Sequence, residues 1–484
     1  MSLLCFDYIL VEKPRVGLRQ VKARYVLGIE GEELSYELIH SYEEKIPEVE
    51  VYAKLMSIVP AINYGLFTPE IRFDFSLDPR DLEFFRDMME ITANDILVNR
   101  IYTRTGFVRE EFIPKKITPQ PLAEVVPESI EEEPLEFEPD YNRCAVMLSG
   151  GKESLLTYGL MKELGCEVYP FFYNESGGHW RVAIPAYRWF RENEPKTKRV
   201  WSNADRLYTF IEKNMKILQN VGKPRAEVYP IRLFFFEGYA FAFLPLIHKY
   251  GVGNIIFGNE YDDPRGLTYE FHGIPHYYAT YDQSQAFEKY MTSWFEERGF
   301  GIRQWSAVRP ITGLIVERIL HNRYPELFKL QRSCHSVHKE GDDYVPCGRC
   351  FKCNGVLTFL LANGIDPTII KYKPEHIETL PERLKNGLVR LDRDELEQSL
   401  YLIKQRNPDF PLEGKPHWHV EMLHFDDRNS HFDNIPPEFR ERLYRIYEGY
   451  TKGYVYLKGD EWVRITREEA LNGVPEEIEN EAAE

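Results

Sequence analysis

Six consecutive residues, Ser149-Gly150-Gly151-Lys152-Glu153-Ser154, carry the strongest chemical signal in the chain. Two adjacent glycines let the backbone approach an anion closely. A helix starting behind them would aim its first N–H groups at that anion, and Ser149, Lys152 and Ser154 add donors and positive charge. The chemistry is that of a pyrophosphate cradle. The spacing fits neither the G-x-x-x-x-G-K-[ST] loop nor the G-x-G-x-x-G fingerprint, and the plain alternative is a glycine-rich turn between strand and helix. Cys334, Cys347, Cys350 and Cys353 form a second constellation, with Pro346 and Gly348 turning the chain around the ligands. Four thiolates suit one tetrahedral Zn²⁺ with no open position, hence a structural staple; an iron–sulfur centre or free thiols are the alternatives. A third group is His417-x-His419, with His424 and His431 beyond. On a strand both imidazoles would share a face, where Asp426 or Asp427 could complete a metal site; packing over the mouth of an active site is the plainer expectation.

These residues need elements to hold them. Strand-like runs over Cys144–Leu148, Val168–Tyr173, Val228–Leu233 and Asn254–Phe257 alternate with helical patterns over Ser154–Leu164, Ala204–Leu218 and Tyr239–Tyr250. That alternation predicts an α/β fold, a parallel sheet with helices on both faces, spanning residues 141–365. The loop then lies at a strand end, where ligands bind in such sheets. Ahead of it, a strand over Arg24–Leu27 and a helix over Leu82–Arg100 predict a small α+β domain, residues 1–117. Between the two, residues 118–140 hold eight acidic residues, five prolines and no Lys or Arg, which predicts an interdomain linker resisting helix and strand alike. Residues 366–484 form a charged extension ending in an acidic tail. Phe234-Phe235-Phe236, Phe241 and Phe243 read as core rather than as a base-stacking platform.

Composition bounds the function. The 484 residues are 43% hydrophobic, which excludes a disordered or fibrous chain. The formal charge of −17 excludes a whole-chain basic footprint for nucleic acid. Much of that charge sits in residues 118–140 and 472–484, both free of Lys and Arg, so the body is close to neutral and compatible with an acidic small-molecule substrate. Seven cysteines, an odd count, with no secretory signal in Met1–Tyr8, predict a reducing cytoplasmic setting in which Cys5, Cys144 and Cys166 are buried bystanders. The most apolar stretch, Leu233–Ile247, is too short to span a bilayer. Nothing in the sequence fixes an oligomeric state.

The Ser149–Ser154 loop resembles the SGGxDS motif of the PP-loop ATP pyrophosphatase superfamily (adenine nucleotide alpha hydrolase-like fold), with Glu153 standing where the family usually has Asp. The resemblance implies ATP and Mg²⁺ as reactants, cleavage between the α and β phosphates, and AMP left on an oxygen of the substrate. It implies that Ser149, Gly150, Gly151, Lys152, Glu153 and Ser154 bind the pyrophosphate end. Loop and cysteine cluster together also resemble 7-cyano-7-deazaguanine synthase, over Cys144 to about Asn363. A longer resemblance, to the ATP-dependent UDP-N-acetylmuramoyl-L-alanyl-L-glutamate epimerase family (MurL-type), rests on a series of short matches. They are Ile58-Val59-Pro60-Ala61-Ile62-Asn63-Tyr64, Gly258-Asn259-Glu260, Gly273-Ile274-Pro275, Tyr281, Ser284, Phe287, Glu288, Arg309-Pro310, Ser333-Cys334, the Cys347–Cys353 run and Gly414-Lys415-Pro416.

That last resemblance implies chemistry with a physical logic. The α-proton of a terminal glutamate is barely acidic beside its own ionised carboxylate; as an acyl-AMP it can be removed, the enolate held, and the centre reprotonated on the other face. The expected acid–base groups are His272, His276 and Tyr281. Asn259 and Glu260 are expected beside the nucleotide, Glu260 as a Mg²⁺ ligand or a helix cap. Arg265 and Arg309, with Arg303, are expected on substrate carboxylate or phosphate groups. The implied function is adenylation of a carboxylate and epimerisation of a glutamyl residue; a deazapurine amidation or nitrile synthesis and a non-catalytic nucleotide-binding module are the alternatives. Transfer RNA thiolation lacks its basic surface and a relay cysteine.

Overall fold

Period-two alternation of apolar residues sets the layers. In the strand Asp140–Met147, Cys144 and Val146 enter one core and Ala145 the other; in Glu167–Asn174, Val168 and Phe172 oppose Tyr169 and Phe171. The sheet is therefore buried on both sides. The computed structural model describes residues 2–103, 106–219, 232–261, 268–277 and 280–473. In chain order its first strands are β1 (Tyr8–Val11), β2 (Arg15–Gly17), β3 (Gln20–Ile29), β4 (Glu32–Tyr42), β5 (Glu70–Phe73), β6 (Glu124–Pro127), β7 (Asp140–Met147), β8 (Glu167–Asn174), β9 (Lys198–Ser202), β10 (Val252–Phe257), the hairpin β11 (Thr268–Phe271) and β12 (Ile274–Tyr277), and β13 (Arg303–Ser306). The helices that cover them are α1 (Glu50–Ile58), α2 (Pro79–Ile96), α3 (Lys152–Glu163), α4 (Gly178–Asn193), α5 (Ala204–Lys213), α6 (Phe236–Tyr250), α7 (Gln285–Glu297) and α8 (Gly313–Arg323).

One eleven-stranded sheet runs β13, β10, β7, β8, β9, β4, β3, β1, β5, β6, with β2 paired to β3. From β13 to β9 all neighbours are parallel. Numbered by appearance, β9, β8, β7, β10 and β13 give the order 3-2-1-4-5, a doubly wound α/β sheet whose strand order reverses between β7 and β10. Helices α1, α2, α5, α6 and α7 pack on one face; α3, α4, α8, the helix Phe351–Asn363 and the C-terminal segment pack on the other.

The N-terminal region has no sheet or core of its own. Strand β4 pairs antiparallel with β9, and α1 and α2 share one core with α6 and α7. Within residues 118–140 the expectation of a linker that resists strand is corrected: Glu124–Pro127 pairs in parallel with β5, burying Val125. Proline is tolerated there because β6 is the sheet's edge. The helix expected over Leu82–Arg100 begins earlier, at Pro79, where the Asp78 carboxylate accepts from the Arg80 N–H at 3.0 Å. The strand expected over Val228–Leu233 falls mostly outside the described residues. Among the described residues no helix is long and apolar enough to cross a membrane.

Candidate functional site

The loop Ser149–Ser154 follows β7 directly and Gly258-Asn259-Glu260 follows β10, so both occupy the reversal point of the sheet. Gly150 has φ +80°, and a side chain there would meet the α4 backbone at 3.3 Å; only glycine makes this turn. Gly151 caps α3, and its N–H donates to the Ser149 hydroxyl at 3.3 Å. The Ser154 hydroxyl accepts from the Ser149 N–H at 3.3 Å and donates to the Gly151 carbonyl at 3.2 Å, folding the loop over the helix terminus. A side chain at Gly258 would lie 2.8 Å from the Glu153 and Ser154 backbone, so the two strand ends touch here because glycine permits it.

Lys152 is 3% exposed and sits between two carboxylates, Glu153 and Glu260; its ammonium donates to both Glu260 oxygens at 2.8 and 2.9 Å. Burial alone would push its pKa down, but the charges of Glu153 and Glu260 reverse that and hold it well above the ordinary value. For Glu153 burial pushes the other way, and the Lys152 and Lys352 charges prevail, holding its carboxyl below the ordinary value. Behind them Glu317 on α8 is fully buried and its pKa is pushed up to about 8 by burial. One of its oxygens accepts from Gln331 at 3.1 Å; the other has no hydrogen-bond partner, nor does the buried Ser333 hydroxyl, 3.7 Å from where a side chain on Gly151 would begin. Glu317, Gln331 and Ser333 were not legible as site residues, although an acid inside the apolar run Leu314-Ile315-Val316-Glu317 was a signal.

Arg309 is placed differently from the expectation. It is 0% exposed, donates to Glu288 at 2.6 Å and to the Gln283 and Glu260 carbonyls at 2.9 and 3.3 Å, and so fixes the strand end from behind rather than meeting a ligand. Asn259 donates to the same Glu288 oxygen at 2.8 Å, and its carbonyl accepts from Ser306 at 2.7 Å. Glu288 ties both residues together. Arg303 reaches Glu438 at 2.5 Å and stacks over Tyr141, and Arg265 lies outside the described residues.

The expected acid–base trio is not gathered at the loop. His272 and Gly273 are the two central residues of the β11–β12 turn, with φ +52° and +79°, a twist that a two-residue hairpin requires. His276 contacts the Ile274 carbonyl at 3.2 Å, and the hairpin is tied to α2 through Asp95 and the Tyr277 N–H at 2.6 Å. Tyr281 is buried against Tyr277 and Phe287, and burial raises its phenol pKa, which keeps it protonated near neutral pH. Among the described residues, no hydrogen bond or ring contact joins any of the three to Ser149–Ser154.

The four cysteines do come together, their sulfurs all within 4.8 Å of one another. Cys334 and Cys350 are 4.0 Å apart and Cys347 and Cys353 3.9 Å, against roughly 3.8 Å for the edge of a tetrahedron of thiolates around zinc. The Ser336 and Cys347 N–H groups donate to Cys334 at 3.2 and 3.3 Å, and Cys350 caps its helix by accepting from the Cys353 N–H at 3.4 Å. Such donors favour thiolates, and the cluster could bind a metal such as zinc. It adjoins the loop: the chain entering it donates from the Arg332 N–H to the Gly150 carbonyl at 2.9 Å. Cys5, Cys144 and Cys166 are buried, and among the described residues none of them belongs to a cluster of three or more metal-ligating side chains.

Trp418–Glu421, expected as part of a strand, is a 3₁₀ turn. His417 and His419 nevertheless meet a carboxylate, that of Asp394 rather than Asp426 or Asp427. Asp426 is spent on its own loop, accepting from the Arg428 and Ser430 N–H groups at 3.0 and 3.1 Å, and on the Tyr261 hydroxyl at 2.9 Å; His431 turns to Asp433. Tyr261 and Thr312 bring a cavity of about 420 Å³, lined also by Asp394 and His419, up to the β10 strand end.

Fold and site together define a doubly wound α/β protein with a glycine-rich loop at its strand reversal and a four-cysteine cluster beside it. No family model matches the chain, and no curated protein or solved structure matches it either.

Proposed function

We propose that the chain is an ATP-consuming enzyme of the PP-loop type that adenylates the carboxylate of an acidic small molecule, releasing pyrophosphate and AMP. The observation that carries this is the loop at the strand reversal, with a buried lysine held between Glu153 and Glu260. A pyrophosphate entering the cradle gives Lys152 an anionic partner and frees both carboxylates, which are then the residues to hold Mg²⁺; the ion would offset phosphate charge. The four cysteines take Zn²⁺ as a closed structural site, since all four positions of a tetrahedron are filled by protein.

The substrate we propose is a UDP-muramoyl-dipeptide-like acid whose terminal L-glutamate is epimerised through the acyl-AMP. This part rests on the series of short matches from Ile58 to Pro416, including Asn259 and Glu288, which together with Arg309 make one buried unit behind the strand end. The test is incubation with ATP, Mg²⁺ and the dipeptide in deuterated water. AMP with deuterium at the glutamate α-carbon supports the reading; AMP without deuterium leaves adenylation standing and removes epimerisation. A second reading, amide or nitrile formation on a deazapurine acid, is favoured by one observation: His272, His276 and Tyr281 are not gathered around the loop. Ammonia-dependent product from that acid would select it.

A further inference from the structure

We infer that Asp394, His417 and His419 form a second metal site, for a divalent transition-metal ion bound by nitrogen and oxygen. The Asp394 Oδ2 lies 3.0 Å from His419 Nε2 and 3.4 Å from His417 Nδ1, and the three ligand atoms lie within 4.8 Å of one another. Two imidazoles and one carboxylate are the donor set of such ions, and three protein ligands leave coordination positions open.

The groups behind the ligands argue for a metal more strongly than the ligands alone. His417 turns its other nitrogen, Nε2, to the Glu397 carboxylate at 2.8 Å, and His419 turns Nδ1 to His424 Nε2 at 3.3 Å. Each ring is thus held from its far side with the near nitrogen directed at Asp394, the arrangement that orients metal-bound histidines. Trp462 stacks on His419 at 4.7 Å and fixes its plane. His424, which supports His419 in this way, is itself buried and fixed by stacking on Tyr261 at 4.3 Å.

The open positions face space. Asp394 and His419 line the cavity of about 420 Å³, whose wall also includes Asp392, Glu395, Asp426 and Asp460 against Arg393 and Arg428. This excess of carboxylates repels an anionic ligand until a cation is bound; the ion then offers its free positions to water or to a ligand oxygen entering beside Tyr261. The site does not depend on the nucleotide reading.

Cobalt(II) tests the inference on the full-length protein whose cysteine cluster has first been filled with zinc. One further equivalent should bind, with d–d absorption but without intense sulfur-to-cobalt charge-transfer bands. Asp394→Asn should weaken cobalt binding at least about 100-fold and Glu397→Gln about 10-fold, the range for losing a ligand and its support, while His431→Ala leaves it unchanged. Equal uptake by the wild type, Asp394→Asn and His419→Ala overturns the site. So does absence of a second equivalent in the wild type, or a spectrum showing only sulfur-bound cobalt. The milder Glu397→Gln keeps the test valid should Asp394→Asn fail to fold.

Discussion

The cysteine cluster and the loop site adjoin, yet they are built in opposite ways. The four sulfurs come from one short stretch of chain, and Cys334 and Cys350 accept from the backbone N–H groups of Ser336, Cys347 and Cys353 in that same stretch. The loop site is assembled from β7, β10, α8 and the segment Gln331–Ser333, and its charges balance only because distant residues meet. A local site carries its chemistry in its spacing. An assembled site acquires it from its tertiary neighbours: the carboxylates of Glu153 and Glu260 keep Lys152 charged, and burial keeps Glu317 protonated.

Perturbing the two sites should separate them, beginning with the largest effect. Cys353→Ser should abolish about one equivalent of bound metal and lower Tm steeply, because structural zinc contributes about 10 kcal/mol or more of folding free energy where it has been measured; differential scanning calorimetry with elemental analysis reads both. An unchanged Tm would make the cluster a passenger. Next, Arg309→Ala leaves Glu288 buried without its cation and should cost about 3–5 kcal/mol in urea unfolding. In the surviving fraction kcat should fall through displacement of Glu260, with KM for the acid little changed; a selective rise in KM would return Arg309 to the substrate.

Lys152→Ala should abolish AMP release while costing about 2 kcal/mol of stability, since its carboxylate partners retain some access to water. The pH dependence is spread over several pH units and has a definite sign. Glu317 and Glu237 are both pushed up to about 8 by burial from an ordinary value of 4.5, so the folded chain binds protons that the unfolded chain releases. Their contribution is complete below about 4.5 and is lost as pH rises to about 8, at up to about 1.4 kcal/mol per pH unit for each group. Glu317→Gln should flatten this fall, measured as the unfolding free energy against pH; an unchanged slope would place Glu317 in a wetter setting.

The smallest effect is expected at the hairpin. His276→Ala should leave stability within about 0.5 kcal/mol and AMP release intact. Retained AMP release with lost deuterium incorporation would instead restore His276 as a proton-transfer group.

What was legible followed from rules that act over short distances. Strand and helix patterns placed β7, α3, β8, α6 and β10, and the glycine pair placed the loop at a strand end. The acidic segment misled because its composition resists structure in isolation, whereas β5 offers Glu124–Pro127 an edge to pair with. Arg309 read as a ligand-binding cation because guanidinium groups suit carboxylates; that its carboxylate is Glu288, inside the protein, is a matter of packing. His272 read as a proton donor, and the backbone made it a turn residue.

By itself the sequence determined the α/β class with a parallel sheet, the place of the glycine loop at a strand end and the four clustered cysteines, since each is set by periodicity or by spacing along the chain. Tertiary structure alone decided that the N-terminal strands extend the same sheet, that Glu260 and Glu317 surround Lys152, and that His417 and His419 meet Asp394 rather than Asp426. Those partners lie on different elements, and only packing fixes their proximity, on which the charge of Lys152 depends.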